Sequence, residues 1–394
     1  MISVEEAKEV IVKSARPLTP VVQSVSKSLH HTLAHDVVSP THYPPFSQSA
    51  MDGFAILYSD HPEKESIEII GEAPAGSPFK GKVTTGTAVR IFTGAKIPEG
   101  ADTVVMQEKV SIEKGKLTIQ DSALAQGINV RPEGQLIKKG EIALKKGLVL
   151  NAGAVGFLTG LGVTSISVYP KPKVTIVVTG SELQKPGKRL KEGQVYESNS
   201  SALIAALESI GISPLRVVSV EDDEKQTTGA LRAAVATSDV VLVSGGISVG
   251  EYDFVAKSLQ ELKVENIFYK ISQKPGKPLF FGKRGACLIF ALPGNPASVL
   301  NCFYEYALPA IKIMQHASEI FLEKRQLPIA SSYSKKEGLG IFLKGKIADS
   351  KVEVLPGQES NNIGAFAFAD CIIYLPASKG NVSSGEPVEV HLLP

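Results

Sequence analysis

The chain has few cysteines, no tryptophan and no long apolar run. Cys287, Cys302 and Cys371 are its only cysteines among 394 residues, and their wide spacing suits neither a disulfide framework nor a metal-ligand motif. We therefore expect a reducing, cytoplasmic environment. No stretch approaches the roughly 18 apolar residues that span a bilayer, and the acidic beginning of the chain is unlike a secretory leader. These absences argue against a membrane protein or an exported one.

The chain also lacks an excess of charge and two common nucleotide-binding motifs. Its 42 Lys and Arg residues nearly balance 40 Asp and Glu residues, and a net charge of +2 does not suit a protein built mainly to bind nucleic acid or an anionic membrane. A Walker-type Gly-Lys-Ser/Thr loop and a Gly-x-Gly-x-x-Gly turn are both missing. P-loop kinases and dinucleotide oxidoreductases are therefore disfavoured. The seven histidines show no metal-ligand spacing.

Hydrophobic residues make up 43% of the chain, enough for more than one core. Ser3 and Glu6 form a capping box, which predicts an N-terminal helix. Residues 22–35 read as a second helix, and the Pro- and Ser-rich stretch 39–45 should then leave this layer in extended form. The second helix would carry three histidines, more typical of an exposed helix face than of a metal site: His30, His31 and His35.

Short strand patterns separated by Gly and Pro run from about residue 50 to 129. They predict a small β domain inserted into a helical and extended framework, which a helix over about 151–160 rejoins. The predicted strands lie at 67–70, 88–92, 103–106 and 116–119.

The stretch from about 172 to 317 predicts a doubly wound α/β domain. Three apolar runs without alternation are typical of parallel strands buried on both faces: 174–178, 240–243 and 287–291. Helical patterns lie between and after them, at 199–210, 224–237 and 296–315.

After about residue 327 the pattern returns to strands and turns. Runs at 340–345 and 351–355 flank a turn at Asp349-Ser350, which predicts a small β-barrel-like domain. The fold class is thus multidomain α/β plus β. We place the framework at 1–44 and 130–171, the inserted β domain at 45–129, the α/β domain at 172–320 and the C-terminal domain at 321–394.

Each buried strand of the α/β domain runs directly into an unusual loop. Ligands of open α/β sheets bind outside the carboxyl ends of the strands, where glycines let the backbone approach and helix N-termini suit phosphate. Three such loops at one edge indicate a phosphate-bearing ligand. The loops are Thr179-Gly180-Ser181-Glu182-Leu183, Ser244-Gly245-Gly246-Ile247-Ser248-Val249-Gly250-Glu251-Tyr252-Asp253 and Leu292-Pro293-Gly294-Asn295-Pro296-Ala297-Ser298.

A proline-stiffened loop, Lys274-Pro275-Gly276-Lys277-Pro278, precedes the third buried strand. It could present two ammonium groups to an oxyanion or a diphosphate, although composition alone favours a surface turn with solvated lysines. Acidic residues near the same edge suit Mg²⁺, which commonly joins one or two carboxylates to substrate phosphates. The candidates are Glu182, Asp222 and Asp253, with capping of the helix at 224–237 as the alternative role for one residue of Asp222-Asp223.

Taken in order, these motifs resemble those of the molybdopterin molybdenumtransferases, the MoeA-type family that includes the E domain of gephyrin. The resemblance covers essentially the whole chain, and a chance match to this ordered set is very improbable. The α/β loops above carry part of it. The earlier segments that carry it are Pro44-Pro45-Phe46, Ser49-Ala50-Met51-Asp52-Gly53-Phe54-Ala55, Gly71-Glu72-Ala73-Pro74-Ala75-Gly76, Phe92-Thr93-Gly94-Ala95, Pro98-Glu99-Gly100-Ala101-Asp102 and Asn129-Val130-Arg131-Pro132.

The resemblance implies four domains, an elongated homodimer and a MogA-like α/β domain that binds adenylylated molybdopterin. It implies that molybdate is inserted into the dithiolene with Mg²⁺ and release of AMP, chiefly through positioning and charge neutralisation. A molybdopterin-adenylating enzyme and acceptor molybdoenzymes are the partners it suggests.

By resemblance, Glu182, Asp222 and Asp253 surround the metal and the nucleotide, while Asp52 and Thr93 of the inserted domain reach the cleft of the other subunit. Lys274, Lys277, Pro278 and Ser298 resemble the molybdate and phosphate pocket. The remaining candidate substrate-binding residues are Gly180, Ser181, Ser244, Gly245, Gly246, Ser248, Gly250, Pro293, Gly294, Asn295 and Pro296.

Two positions depart from the family pattern. Leu136 occupies a place that is usually acidic, and Leu339 stands where an Arg is usual. Loss of an Arg near an oxyanion site removes a fixed charge and a two-pronged donor, so molybdate affinity is affected more directly than nucleotide binding. Lys344 lies five residues after Leu339.

Three readings of the activity follow. The first is the molybdenum-inserting enzyme. The second is an adenylyltransferase, which Gly245-Gly246-Ile247-Ser248 disfavours because that family usually has Gly-Gly-Thr-Gly there. The third is a degenerate paralogue or scaffold that binds the pterin nucleotide without inserting metal, which Leu136 and Leu339 leave open.

Overall fold

The computed structural model describes residues 1–61, 65–247 and 254–394. In this part of the chain the strands form several separate sheets with separate apolar cores. No helix within these residues has the length and apolar character needed to cross a membrane. The predicted multidomain α/β plus β fold is confirmed.

The elements follow one another as short strands first and as an α/β alternation later. The first part contains α1 (Val4–Ser14), β1 (Val21–Ser24), β2 (Thr32–Leu33), β3 (Val37–Val38), β4 (Gln48–Ser49), β5 (Gly53–Ile56), β6 (Ile67–Ala73), β7 (Thr87–Ile91), β8 (Thr103–Met106), β9 (Val110–Glu113), β10 (Lys116–Ile119), β11 (Val130–Arg131), β12 (Ile142–Leu144), α2 (Ala152–Gly160) and β13 (Ser165–Tyr169). The second part contains β14 (Val174–Thr179), β15 (Leu183–Gln184), β16 (Val195–Tyr196), α3 (Asn199–Glu208), β17 (Arg216–Val220), α4 (Glu224–Thr237), β18 (Val240–Ser244), α5 (Phe254–Glu261), β19 (Glu265–Tyr269), β20 (Gln273–Lys274), β21 (Phe280–Arg284), β22 (Cys287–Leu292), α6 (Pro296–Cys302) and α7 (Leu308–Met314). The last part contains β23 (Lys324–Pro328), β24 (Gly340–Ala348), β25 (Lys351–Val354), β26 (Cys371–Leu375) and β27 (Pro387–Leu392).

The N-terminal helix α1 begins as predicted. The Ser3 hydroxyl accepts a hydrogen bond from the Glu6 N–H at 3.0 Å, and the Glu6 carboxylate accepts one from the Ser3 N–H at 2.7 Å, which satisfies two donors of the first turn. The buried face of α1, with Val4, Ala7 and Ile11, joins the apolar core of the α/β sheet. Helix α1 therefore packs against elements that are distant from it in the sequence.

The prediction of a second helix over 22–35 is wrong. Strand β1 pairs antiparallel with β13, some 140 residues later, and β2 pairs with the other edge of β13. Between them His30 adopts φ 63°, a conformation that no α-helix contains, so His30, His31 and His35 share no helix face. Valines at 21 and 22 fit this pleated surface because β-branched side chains favour strands.

The other early elements agree with the predictions. Helix α2 lies where it was expected, with Asn151 as its N-cap. The stretch 39–45 contains no helix. The four predicted strands correspond to β6, β7, β8 and β10 of a six-stranded sheet, whose order is β8-β5-β7-β6-β10-β9.

The α/β region is doubly wound, as predicted. Its sheet order is β17-β14-β18-β22-β21-β19, and the first four strands are parallel to one another. Strand β21 runs antiparallel to both of its neighbours, β22 and β19. Helices α3, α6 and α7 pack on one face and α4 and α5 on the other. The helix predicted over 296–315 is α6 followed by α7, joined by a π-helical turn at Phe303–Ala307.

The C-terminal sheet takes one strand from the α/β region. Its order is β20-β24-β26-β27-β23, with β25 paired to β24. Strands β24 and β25 form the predicted hairpin, and Asp349 and Ser350 adopt φ 49° and 62° at its turn. Strand β20 lies parallel to β24, with Gln273 opposite Gly340 and Lys274 opposite Ile341. The two parts of the chain are thus joined by a shared sheet.

A buried ionic network also joins these two parts to α1. The Glu305 carboxylate of the π turn pairs with Lys8 and, at 2.6 Å, with Nδ1 of His391. The other ring nitrogen of His391 lies 2.8 Å from Glu389, which also pairs with Lys324. Both imidazole nitrogens therefore face carboxylates, which favours the imidazolium ion.

This geometry shifts the pKa values of both central groups. Burial alone would lower the pKa of His391, but its bonds to the two carboxylates raise it overall. Burial alone would raise the pKa of Glu305, but Lys8 and His391 together lower it. Breaking a buried ion pair from one side leaves an uncompensated charge, which costs about 3 kcal/mol or more.

We predict that His391→Phe destabilises the protein by about 3 kcal/mol at pH 6. Because the folded-state pKa of His391 is raised, its stabilisation is complete below the unfolded pKa of about 6.5 and is lost as pH rises through the folded value. Thermal unfolding between about pH 6 and pH 9 should show this alkaline loss in the wild type and not in the variant. His35→Gln, at an exposed position, is the control; equal pH dependence in all three proteins would refute the assignment.

Candidate active site

A cleft of about 550 Å³ opens at the carboxyl edge of β14, β18 and β22. Loops that follow all three strands contribute to its wall, together with the lysine loop, which we define as residues 274–278. Of the sequence-predicted residues, the structure brings these together around it: Gly180, Glu182, Asp222, Ser244, Gly245, Gly246, Lys274, Lys277, Pro278, Pro293, Gly294, Asn295 and Ser298.

Four other predicted residues, all of them described, do not line this cleft. Ser181 exchanges hydrogen bonds with Asp222, and Pro296 is the first residue of α6. Asp52 and Thr93 lie in the inserted sheet region. Ser248, Gly250 and Asp253 fall outside the residues that the structure describes.

The glycine loops lie close to other backbone, and at Gly245 there is no room for a side chain. Gly245 has φ 90°, and a Cβ there would lie 2.3 Å from the Thr179 carbonyl oxygen. A Cβ on Gly294 would lie 3.8 Å from the Gly245 Cα. The ends of β14, β18 and β22 therefore present bare backbone to the cleft, which suits a ligand that is recognised by N–H groups.

Asn199 joins these loops and was missed from the sequence. Its amide nitrogen donates to the Ser244 hydroxyl and to the Gly294 carbonyl, both at 2.8 Å. The side chain is buried at the first residue of α3 and lines the cleft. The only available signal was the position of an Asn at the start of a predicted helix, which does not distinguish a cap from a cross-link.

Buried polar contacts hold the lysine loop on the side that faces the protein interior. Gln273 donates to the Gly276 carbonyl at 3.0 Å and accepts a hydrogen bond from the Tyr306 hydroxyl. Gly276 has φ 88° and rests on Cys302, whose Sγ would lie 2.5 Å from an added Cβ. The loop is therefore a fixed part of the cleft wall.

Both lysines of this loop stay exposed while their neighbours are buried. Pro275 and Gly276 are buried, and Lys274 and Lys277 are exposed. Among the described residues, neither ammonium group has a carboxylate partner within 4.0 Å. Two unpaired cations on a fixed loop can bind an anion with little loss of entropy.

The C-terminal region closes one side of the cleft through Ser360, which was also missed from the sequence. Its hydroxyl accepts a hydrogen bond from the Asn295 amide at 2.8 Å, and its carbonyl accepts one from the Ala297 N–H at 3.1 Å. Ser360 thereby binds the start of α6, where Ser298 is almost fully buried. A contact between residues 65 positions apart leaves no local signal in the sequence.

The two described carboxylates of the cleft have different surroundings. Asp222 accepts a hydrogen bond from the Ser181 N–H at 3.0 Å, whereas capping of α4 is done by Asp223, which accepts from the Gln226 N–H at 2.7 Å. Asp222 is thus not the helix cap. The Glu182 carboxylate lies over Gly180, where an added Cβ would be 2.8 Å from Oε2.

Asp52 forms an exposed, ionised site of its own. The Thr93 N–H and hydroxyl donate to its Oδ1 at 2.7 and 2.9 Å. These bonds, first that of the backbone and then that of the hydroxyl, lower the pKa of Asp52, and the charge of Arg90 adds to the effect. The carboxylate is therefore held in one orientation and in its charged form.

Neither Leu136 nor Leu339 lines the cleft. Leu136 is 65% exposed and borders a shallow depression with Arg131 and Tyr43. Lys344, five residues after Leu339, is buried under the segment that leads to Ser360, and its Nζ lies 3.4 Å from the Glu359 carbonyl. Burial lowers its pKa. Lys344 does not line the cleft either.

We predict that Gly276→Ala destabilises the protein more than Gly285→Ala. Both positions have positive φ, so both variants carry a backbone cost of about 1–2 kcal/mol. Only the Cβ at 276 collides with neighbouring atoms, while nothing lies within 4 Å of one at 285. Denaturant unfolding of the two variants measures the difference; equal losses would show that the lysine loop tolerates displacement.

Three family models match successive parts of the chain: the MoeA N-terminal region (domain I and II) over residues 2–162, a probable molybdopterin binding domain over 175–313 and the MoeA C-terminal region (domain IV) over 326–393. The cleft lies mainly within the second of these.

Individual relatives match nearly the whole length of the chain. A molybdopterin molybdenumtransferase of Haemophilus influenzae is 34% identical over 381 residues, which cover 94% of each chain. One from Staphylococcus aureus is 30% identical over 400 residues, covering 99% of this chain and 95% of the relative. The crystal structure of a molybdopterin biosynthesis moeA protein from Pyrococcus horikoshii superposes with a TM-score of 0.81 at 28% identity, covering 100% of both chains.

Proposed function

Since the chain belongs to the molybdopterin molybdenumtransferases, transferases of molybdenum cofactor biosynthesis, we propose that it inserts molybdate into the dithiolene of adenylylated molybdopterin. The reaction releases AMP and depends on Mg²⁺. One observation carries the proposal: a single cleft combines bare glycine backbone at three strand ends with two lysines that have no carboxylate partner within 4.0 Å among the described residues. This combination suits a ligand that carries a phosphate anhydride.

The phosphate end of the substrate lies between the glycine loops and the lysine loop. Backbone N–H groups of Gly245 and Gly246 donate to the phosphate oxygens, and Lys274 neutralises their charge. Fixed donors need no reorganisation as charge develops on the leaving AMP, so positioning and electrostatics supply most of the rate acceleration.

Molybdate binds beside this anhydride, against Lys277, Pro278 and Ser298. A small dianion needs a compact cationic niche with hydroxyl or N–H donors, and these residues line the same wall of the cleft as Lys274. No covalent protein nucleophile is required, because the substrate's own dithiolene sulfurs bind the metal.

The carboxylates of the cleft fit Mg²⁺. Glu182 and Asp222 both line it and offer the hard oxygen ligands that Mg²⁺ prefers alongside substrate phosphates. We assign Asp253 to the same role from the family pattern, and the bound ion would neutralise charge on the anhydride.

The active form is a homodimer in which Asp52 and Thr93 of one subunit complete the cleft of the other. Two observations support this arrangement. Asp52 is held ionised and oriented although it is exposed, and it does not line the cleft of its own chain. Carboxylates with perturbed pKa values are concentrated at functional sites, which makes Asp52 a candidate for action on the cleft of the partner subunit.

AMP release from adenylylated molybdopterin, with Mg²⁺ and with or without molybdate, tests the activity directly. We expect release that depends on molybdate. The double variant Lys274→Gln/Lys277→Gln should lose most of this release, and Lys114→Gln/Lys116→Gln, with the same change in charge on the inserted sheet, should keep it. Tight nucleotide binding without release in the wild type would favour the scaffold reading, in which Leu339 reflects loss of the oxyanion site.

Mixing two inactive variants tests the shared site. Asp52→Asn and Lys274→Gln/Lys277→Gln each damage every cleft of their own homodimers, but a mixed dimer regains one intact cleft if the two groups act across subunits. Random reassociation should therefore restore about a quarter of the wild-type AMP release. If the groups act within one chain, no mixed dimer has an intact cleft and activity stays absent.

A further inference from the structure

A loop that leaves the wall of the cleft has a larger net positive charge than the chain as a whole. Residues 185–193 contain four cations and one carboxylate, a net charge of +3, whereas the whole chain carries +2 and the remainder therefore −1. The five charged residues are Lys185, Lys188, Arg189, Lys191 and Glu192. Together with β15 and β16, which flank it, we call this loop the basic ribbon (residues 183–196).

Both ends of the basic ribbon are anchored at the cleft. Glu182 and Leu183 at its beginning and Asn199 just after its end line the cleft wall. The ribbon is also tied internally, since β15 pairs with β16 and the Tyr196 hydroxyl donates to the Lys188 carbonyl at 2.9 Å. The cations are thus held at the rim of the cleft by a bonded loop.

The four cations are not neutralised by their surroundings. All are exposed, and within the described part of the chain none has a carboxylate partner within 4.0 Å. Some other exposed cations of this protein are paired, such as Lys82 with Glu99 at 3.1 Å and Arg232 with Glu261 at 2.9 Å. A group of unpaired like charges at one rim produces a positive potential that extends about one Debye length, roughly 10 Å at 0.1 M salt.

We propose that the basic ribbon attracts the polyanionic pterin nucleotide and raises its concentration at the cleft. This inference rests on the proposed function, because it takes the adenylylated pterin as the ligand. The four side chains do not line the cleft, so they act through the field they add to that of Lys274 and Lys277 and not through direct contacts. Charged rims of this kind raise association rates by roughly 10- to 1,000-fold at low salt and lose the effect as salt screens them.

The test is the salt dependence of binding. Isothermal titration of adenylylated molybdopterin into the protein, at about 20 mM and about 300 mM KCl, gives the dissociation constants. For Lys185→Gln/Lys188→Gln/Arg189→Gln/Lys191→Gln we expect affinity to fall roughly tenfold at the lower salt and less than about twofold at the higher. AMP release at saturating substrate should stay unchanged, because the lysine loop is intact.

A charge-matched control removes the effect of net charge. Lys114→Gln/Lys116→Gln/Lys145→Gln/Lys146→Gln also removes four exposed cations, all of them outside the cleft wall, and should leave the low-salt affinity nearly at the wild-type value. Equal behaviour of the two quadruple variants would overturn the inference, and would leave an acidic partner protein as the remaining use of the ribbon. Absence of binding to the wild type would overturn the proposed function itself, and this inference with it.

Discussion

The cleft depends on the pairing of strand β20 with strand β24. This short parallel contact places Gln273 opposite Gly340 and Lys274 opposite Ile341. The segment that leads into the lysine loop therefore belongs to the C-terminal sheet, and the loop itself borders the α/β cleft. Ser360 adds a second contact by binding the start of α6. The buried pairing of Glu305 with Lys8 and His391 fixes the same junction from within. The lysines therefore cannot shift without disturbing contacts in both regions, which preorganises them for an anion.

Charge is distributed in two different ways in this molecule. Inside the junction, each central ionic group has partners on both sides, as its burial requires. At the cleft, neither the two lysines nor the cations of the basic ribbon have a carboxylate partner within 4.0 Å in the part of the chain that the structure describes, and Glu182 and Asp222 are exposed. Unpaired charge at the surface costs little stability and is available to a ligand. The buried network thus holds the two regions in place, and the exposed charged groups at the cleft are available to bind the substrate.

The elements that could be predicted from the sequence are those with strong local signals. Strands β14, β18 and β22 are apolar runs buried on both faces, and the loops after them are rich in Gly and Pro. The helix predicted over 22–35 failed because the true partner of β1 lies some 140 residues away, where no local pattern shows it. Asn199 and Ser360 were missed for the same reason: each acts through a contact with a distant loop. The pairing of β20 with β24 is also non-local, so the junction on which the cleft depends was the part least visible in the sequence.

In the proposed complex, the anhydride of the substrate lies between the glycine loops and the lysine loop. A crystal structure of the protein with adenylylated molybdopterin measures this most directly. We expect phosphate oxygens within hydrogen-bond distance of the Gly245 or Gly246 N–H groups, with Lys274 or Lys277 on their other side. Density for the nucleotide outside the space bordered by β14, β18, β22 and residues 274–278 would contradict the claim.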